Sequence, residues 1–240
     1  MNEQEYKIGT WSSIPSSMVL DVLYTSGLDF VIVDLEHGCV NYETLYDMTN
    51  VARKHDKQLM VRLTGKDDEQ LMRVLECGVT SILFPHVSCY DDIKDLVEMC
   101  RYPKRGLSPY TPNHYYDDKY IKDSIRDIND NMFIGVLVEG DDYLQATKEL
   151  SKVREIDMVY TGIYDISQSL GMPGQLDDRK VMDLQEECLE IIQQNGKFAG
   201  SFAKDLGYAY HLKTIGFDYV AYSVDCNVLL RGYHDVCRMD

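Results

Sequence analysis

Short apolar runs alternate with amphipathic segments along this chain, and that alternation restricts its fold more than any other feature. The apolar runs are rich in β-branched residues and too short for buried helices, so they predict strands. The segments between them are typical of helices, because several begin on Pro or end just before Gly. The predicted strands cover residues 7–13, 29–38, 58–64, 81–87, 134–140, 158–165, 198–203 and 219–225.

Alternating strands and helices of this kind predict a parallel sheet. Eight such units in 240 residues fit a closed (β/α)8 TIM barrel of the α/β class. A doubly wound open sheet is the alternative, but it usually has fewer strands and a glycine-rich turn after the first one. Here the first strand leads into TWSSIPSS, which holds no G-x-G-x-x-G motif. We therefore predict one barrel domain over residues 1–240.

One segment interrupts the alternation. Residues 101–131 lie between the fourth predicted helix and the fifth strand, and they hold three Pro, five Tyr and many charged residues. Long inserts in compact domains are usually functional or disordered. We predict a long rim loop that forms an ordered lid or a subunit contact, with a helix in its latter half.

Charge and cysteine content exclude several classes of protein. The chain has 24 Lys and Arg against 40 Asp and Glu, a net charge of −16. Nucleic acids and anionic membranes need a basic face, so we expect neither as a partner. The start resembles no secretory signal, and no apolar run is long enough to span a membrane. The seven Cys are scattered without a C-x-x-C motif, which favours reduced thiols in a cytoplasmic protein.

Polar residues follow several of the predicted strands, where the chemistry of a barrel collects. Arg62 ends an apolar run, and a charge there is costly unless it is paired or binds an anion such as a carboxylate. His37 belongs to the residue type used most often as a general base near neutral pH, although a packed His is the commoner role. His86 is a weaker candidate. The further strand-end residues are Asp34, Glu36, Glu139, Asp165, Ser201 and Asp225.

Glu139 and Asp165 follow adjacent strands of the predicted barrel. Two carboxylates completed by water and substrate oxygens suit a hard cation such as Mg²⁺ or Mn²⁺. Acidic residues are equally favoured as caps at helix N-termini, so position alone leaves both readings open.

Several motifs, in order and at matching spacing, carry a resemblance to a known family. They are GTW, GLDFVIVDLEHG, VRL, LECGVTSILFPHV, RYPKRG, VLVEG, YTGIYDISQSLG and GKFAG. From about Ile8 to Leu230 the chain resembles the HpcH/HpaI aldolases, metal-dependent pyruvate aldolases of the phosphoenolpyruvate/pyruvate barrel superfamily. The resemblance also implies a homo-oligomer, typically a hexamer in which C-terminal helices pack between neighbours.

The resemblance implies a role for each matching residue. His37 matches the catalytic base, and Arg62 matches the residue that binds the carboxylate and enolate of pyruvate. Glu139 and Asp165 match the ligands of a divalent metal, which is Mg²⁺, Mn²⁺ or Co²⁺.

Two further matches concern the surroundings of that core. The segment Gly162, Ile163 and Tyr164 matches the one whose backbone N–H groups hold the pyruvate carboxylate. Glu76 stands where the family usually has the Asp that pairs with the catalytic His, and it is longer by one methylene.

The chain also departs from the family pattern around this core. Ser108 and Pro109 stand where the family has Arg-Gly, Leu137 replaces a Gln, and Ile163 replaces a Pro. On a strand, Leu137 shares a face with Glu139, so a polar group near the metal is lost.

The expected function is that of a class II, metal-dependent aldolase or carbon–carbon lyase. Its partners would be a small 2-oxo acid or hydroxy-2-oxo acid and an aldehyde, with the reaction passing through a pyruvate-type enolate. No Lys stands at a matching strand end, which disfavours a Schiff-base mechanism. The alternatives are a decarboxylase or another lyase on the same enolate, or a non-catalytic pseudoenzyme. Tyr110, Tyr115 and Tyr116 in the rim loop predict an acceptor unlike the usual acids and semialdehydes.

Overall fold

A computed structural model describes residues 6–107, 110–111, 114–115, 121–139 and 142–238, with only the backbone at 110–111, 114–115 and 121–123. Eight parallel strands close a barrel in the order β1-β2-β3-β4-β7-β8-β9-β10, and β10 pairs with β1. The predicted (β/α)8 barrel is therefore confirmed. The barrel strands are β1 (Lys7–Ser12), β2 (Phe30–Asp34), β3 (Gln58–Arg62), β4 (Ser81–Val87), β7 (Phe133–Val138), β8 (Met158–Thr161), β9 (Phe198–Ala203) and β10 (Tyr219–Val224).

Helices follow the strands and cover the outside of the barrel. They are α1 (Ser17–Thr25), α2 (Tyr42–His55), α3 (Asp68–Glu76), α4 (Lys94–Met99), α5 (Ile121–Asp130), α6 (Tyr143–Leu150), α7 (Ile163–Ser169), α8 (Arg179–Gln194), α9 (Leu206–Ile215) and α10 (Asp225–Cys237). None of the helices within the described residues is long and apolar enough to cross a membrane.

The rim insert contains a short antiparallel pair, β5 (Tyr110–Thr111) and β6 (His114–Tyr115), followed by α5. The helix predicted in its latter half is therefore present. Ser108, Pro109 and Tyr116, which the sequence singles out, lie outside the described residues, as do the side chains of Tyr110 and Tyr115.

Three predicted elements need correction. The strand expected over 29–38 ends at Asp34, and residues 35–38 form the bends that follow it. The helix expected over 90–100 is divided into a 3-10 turn at Tyr90–Asp92 and helix α4. The strand expected over 158–165 ends at Thr161, so the residues after Gly162 belong to helix α7. The mostly apolar run MVYTGIY conceals that boundary, because it reads as one continuous strand.

The interior of the barrel is packed with side chains and does not form a channel. At the N-terminal end of the strands, the rings of Phe133, Phe198 and Tyr219 lie with centroids 5.5–6.0 Å apart. Leu83, Met158 and other apolar side chains of the inner cluster lie among the strands. This packing closes the N-terminal end of the barrel and leaves function to the C-terminal end.

Acidic residues before strands tie the N-terminal end of the barrel together. The carboxylate of Asp157 accepts the backbone N–H of Ile134 at 2.8 Å, and that of Asp218 accepts the N–H of Ala199 at 2.8 Å. Each carboxylate thus satisfies a donor of the neighbouring strand that the ladder does not pair. Burial raises the pKa of both acids above the ordinary value for Asp.

Asp225 joins the last strand–helix connection to the first. Its buried carboxylate accepts hydrogen bonds from the hydroxyl of Ser12 (2.7 Å) and the backbone N–H groups of Ser13 (3.0 Å) and Ile14 (3.1 Å). The sequence marks Asp225 as a strand-end acid available for chemistry. In the structure it is instead a tie across the seam where β1 meets β10.

Candidate active site

A cavity of about 370 Å³ opens at the C-terminal ends of the strands. It brings together most of the residues that the sequence predicts for the site. Those lining it are His37, Arg62, Gly162, Ile163, Tyr164 and Asp165.

Arg62, the last residue of β3, is held by two acids from the end of β2. Its Nε and Nη2 lie 2.9 and 2.6 Å from the two carboxylate oxygens of Asp34, and its Nη1 lies 2.9 Å from Oε2 of Glu36. The guanidinium also stacks over the ring of Trp11 at 4.7 Å. The fork is therefore fixed in one orientation at the edge of the cavity.

His37 lies in the loop that follows β2, with an exposed side chain at the cavity. The backbone folds tightly around Asp34, whose Oδ1 accepts the N–H groups of Glu36 (3.0 Å) and His37 (3.3 Å). A Cβ at position 38 would overlap the carbonyl oxygen of Asp34, so this turn requires Gly38. The turn places His37 and Arg62 at the same cavity.

His86 connects the Arg62 cluster to Glu139. Strand β4 is irregular between Phe84 and Val87, and His86 has a φ of +54°, an unusual backbone angle for this residue type. Its Nε2 lies 2.6 Å from Oε1 of Glu36, and its Nδ1 contacts Oε2 of Glu139. Burial opposes the charge on His86, but the two carboxylates raise its pKa above the ordinary value.

Glu139 and Asp165, the two predicted metal ligands, lie close enough for the charge of Asp165 to act on Glu139. Burial raises the pKa of both carboxyls, and the charge of Asp165 raises that of Glu139 further. Within the described part of the chain, no three His, Cys, Asp or Glu side chains are arranged to hold a metal ion. Two carboxylates suit a hard cation that takes its other ligands from water and substrate, and the metal assignment stays a prediction.

The sequence predicts Asp165 at a strand end, but the structure places it in the first turn of α7. Its carboxylate folds back over Gly162, where a Cβ would overlap an oxygen of the carboxylate. The N–H of Gly162 donates to the hydroxyl of Tyr143 at 2.7 Å, so it is already engaged. The N–H groups of Ile163 and Tyr164 belong to the first helical turn, which has no acceptors within the helix.

Glu76 is not brought to the His37 cavity within one chain. It ends helix α3, and its Oε1 lies 3.0 Å from Nη2 of the buried Arg105. Arg105 also donates to the carbonyl of Leu75 at 3.0 Å. Glu76 lines a separate surface cavity with Tyr42 and neighbouring residues. The predicted pairing with His37 stays a prediction.

An apolar wall completes the cavity. The sequence alone gives no sign that most of its residues belong to the site. The wall includes Trp11, Leu137, Tyr160, Phe202 and Val224. The indole N–H of Trp11 donates to the hydroxyl of Tyr160 at 3.0 Å, which joins residues 149 positions apart. Their apolar strands were visible in the sequence, but that contact depends on closure of the barrel.

Comparison with known proteins decides the family. The model of the family described as HpcH/HpaI aldolase/citrate lyase matches residues 7–231. The chain belongs to this family. The match covers every barrel strand, so the HpcH/HpaI resemblance expected from the motifs is confirmed.

Two curated members of the HpcH/HpaI family are similar over most of the chain. The 2-keto-3-deoxy-L-rhamnonate aldolase of Salmonella gallinarum is 27% identical over 94% of this chain and 85% of its own length. The 4-hydroxy-2-oxo-heptane-1,7-dioate aldolase of Escherichia coli is 26% identical over 94% of this chain and 87% of its own length.

Solved structures of related proteins have the same fold. An HpcH/HpaI aldolase/citrate lyase family protein from Burkholderia cenocepacia superposes with a TM-score of 0.90 at 21% identity, over 99% of this chain and 95% of its own. The CitE protein of Mycobacterium tuberculosis, in complex with magnesium and pyruvate, has a TM-score of 0.58 at 16% identity, over 93% and 87% of the two chains.

Proposed function

We propose that the chain is a divalent-metal-dependent aldolase, a carbon–carbon lyase that acts through the enolate of pyruvate or a close 2-oxo acid. The observation that carries this proposal is the convergence of Arg62, His37 and Asp165 on one cavity, with Glu139 joined to the same cluster through His86. A fixed cation, a free imidazole and a pair of acids are the groups that such a reaction needs.

Glu139 and Asp165 would hold the cation, which we propose to be Mg²⁺ or Mn²⁺, with Co²⁺ as a further candidate. Burial raises the pKa of both acids, and a bound cation would offset the cost of keeping their charges in this partly buried place. When bound, the cation would supply Lewis-acid polarisation of the keto oxygen. The magnesium and pyruvate in the CitE structure are in line with this choice.

The chain's own residues would then position and polarise the substrate. The first-turn N–H groups of Ile163 and Tyr164 are suited to the pyruvate carboxylate, since helix N-termini favour anions. The guanidinium of Arg62 is fixed before substrate arrives, so it can stabilise charge that develops on the enolate oxygen without reorganising.

His37 would move the proton of the aldol hydroxyl. Its exposed ring at the cavity is accessible to substrate, and a positioned general base contributes about 10²–10⁴-fold to rate. In cleavage the imidazole removes the hydroxyl proton, the carbon–carbon bond breaks, and the enolate is protonated to pyruvate. In the addition reaction the same steps run in reverse.

An oligomer is also part of the proposal. After Asp225, helix α10 buries none of its side chains within the described chain. The large apolar side chains exposed on it are Val228, Leu229, Leu230, Tyr233 and Val236. Contiguous exposed apolar surface of this kind marks interaction sites. We propose that α10 packs against another copy of the chain, in line with the hexamer that the family resemblance implies.

The decisive experiment follows the exchange of pyruvate methyl protons with solvent deuterium by NMR, without any aldehyde. Exchange should require Mg²⁺ or Mn²⁺, stop with EDTA, and be lost in Glu139→Gln and Arg62→Met. Glu190→Gln removes an exposed carboxylate on α8 and should leave the exchange unchanged. A folded, metal-loaded chain without exchange would establish the pseudoenzyme instead.

A further inference from the structure

The cavity presents two chemically different sides to a substrate. Arg62, His37 and Asp165 provide charge and hydrogen bonds for the enolate half. The remaining wall is formed mainly by Leu137, Phe202, Val224 and the aromatic residues near them. A second reactant that adds to the enolate must lie against this wall, since both reactants occupy one cavity of about 370 Å³.

The apolar side is built into the barrel and does not depend on a single side chain. Leu137 points from β7 into the barrel interior and is 3% exposed. Phe202 of β9 and Tyr164 of α7 pack with ring centroids 5.8 Å apart, and Tyr164 remains 51% exposed. Leu137 therefore lies at the base of the wall, and the two rings lie toward solvent.

The charges that the described residues place in the cavity leave no counter-ion for a second anionic group. Among the described residues that line it, Arg62 is the one Arg or Lys, and it already faces Asp34 and Glu36. The hydroxyl oxygen of Tyr160 accepts the indole N–H of Trp11, so Tyr160 can still offer a neutral O–H but no positive charge. A carboxylate on the acceptor would lose its hydration against apolar carbon, and the net charge of −16 would add to the repulsion.

We infer that the acceptor is an uncharged aldehyde with an apolar aliphatic or aromatic substituent. The inference rests on the proposed aldolase function and specifies its second substrate. In the direction of aldol addition, C3 of the pyruvate enolate bonds to the carbonyl carbon of the aldehyde. The aldehyde oxygen takes up a proton and becomes the hydroxyl. Cleavage returns the same two molecules, and neither direction changes oxidation state overall or needs a further reactant.

The test compares two aldehydes of nearly equal shape. Succinic semialdehyde ends in a carboxylate, and 4-methylpentanal carries an isopropyl group in its place. With pyruvate and Mn²⁺, kcat/KM should be about tenfold or more higher for 4-methylpentanal, because burying apolar carbon is favourable and burying an unpaired charge is not. Along propanal, butanal and pentanal, kcat/KM should rise about threefold per methylene.

Variants then assign the preference to the wall. Phe202→Arg should lower the ratio between 4-methylpentanal and succinic semialdehyde by about tenfold or more, because it adds a cation beside the acceptor. Val224→Lys makes the same change from β10 and serves if the first variant does not fold. Tyr210→Arg adds the same charge on the exposed surface of α9, outside the cavity, and should leave the ratio unchanged.

Deuterium exchange into pyruvate separates the two levels of the proposal. If pyruvate exchanges but succinic semialdehyde is used as well as or better than 4-methylpentanal, the apolar acceptor is wrong and the aldolase function stands. If pyruvate does not exchange, the proposed function fails and the acceptor inference falls with it. Exchange together with a preference for 4-methylpentanal that Phe202→Arg or Val224→Lys reduces supports both.

Discussion

Nε2 of His86 lies 2.6 Å from Oε1 of Glu36, although His86 is a strand-end residue of β4 and Glu36 follows β2. The same ring contacts Glu139 through Nδ1, and Glu36 in turn contacts Arg62. One imidazole thus links the group that would stabilise the enolate to a proposed metal ligand.

The first prediction concerns metal affinity. His86→Asn keeps a residue type that tolerates the positive φ but removes the ring that orients Glu139. Loss of a side chain that orients a metal ligand typically costs about 10–100-fold in affinity. Calorimetric titration with Mn²⁺ should show that loss in His86→Asn and not in His234→Ala, which alters an exposed His on α10. Equal Mn²⁺ affinity in wild type and His86→Asn would contradict the orienting role.

The second prediction concerns stability. Arg62→Met leaves Asp34 without a cation and Glu36 with His86 alone at a largely buried site, and such losses cost about 3–5 kcal/mol. Urea denaturation should show a clear fall in unfolding free energy. The double variant Asp34→Asn/Arg62→Met removes one of the stranded charges, so it should recover part of that loss while remaining inactive. A double variant less stable than Arg62→Met would show that the unpaired charge of Asp34 is not what destabilises the single variant.

The third prediction concerns pH and Asp218. Burial raises its pKa, so the native chain keeps this proton to higher pH than the unfolded chain does. The protonated carboxyl therefore supports stability below the unfolded pKa of about 3.9, and that contribution is lost as pH rises through the native value.

Asp218→Asn keeps an acceptor for Ala199 without the charge. Its unfolding free energy relative to wild type should therefore be higher at pH 7 than at pH 4. Asp218→Ala leaves the buried N–H of Ala199 unpaired and should lose about 1–3 kcal/mol at both values. Urea denaturation of the three proteins at each pH makes the comparison. A pH-independent difference for Asp218→Asn would contradict the assignment.

The fourth prediction concerns Glu76 and His37, which line different cavities of one chain. If Glu76 assists His37, it must do so from another copy. His37→Ala and Glu76→Ala should each be poorly active alone, and activity should partly return when they are unfolded and refolded together. In the mixed oligomer some sites combine an intact His37 with an intact Glu76. Mixing without recovery, while both variants still assemble, would limit Glu76 to its ion pair with Arg105.

Most of the barrel could be predicted because each strand is a local pattern. The run FVIV is apolar, three of its four residues are β-branched, and with Asp34 it makes up strand β2. The predicted end of β8 is wrong, because the strand ends where the carboxylate of Asp165 packs against Gly162. That contact joins residues close in the chain, but the hydrophobicity of the sequence gives no sign of it.

The site was predicted through strand ends and family motifs, but its interactions were not. Arg62 was expected to be paired or to bind an anion, and its partners come from another strand. The position of His86 follows from a positive φ and an irregular strand, neither of which a propensity predicts. Glu76 shows the limit of a motif match, which identifies a position in the sequence but does not show what its side chain contacts.

The tie at Asp225 has a consequence for how the chain is made. Of the eight barrel strands β1 is synthesised first and β10 last, yet the two must pair to close the barrel. Until the segment around Asp225 emerges, β1 and β9 are open edges, and open edges invite pairing with other chains. The barrel therefore stays open until its last strand has been synthesised, and a ribosome that stalls before β10 leaves a product with two exposed strand edges.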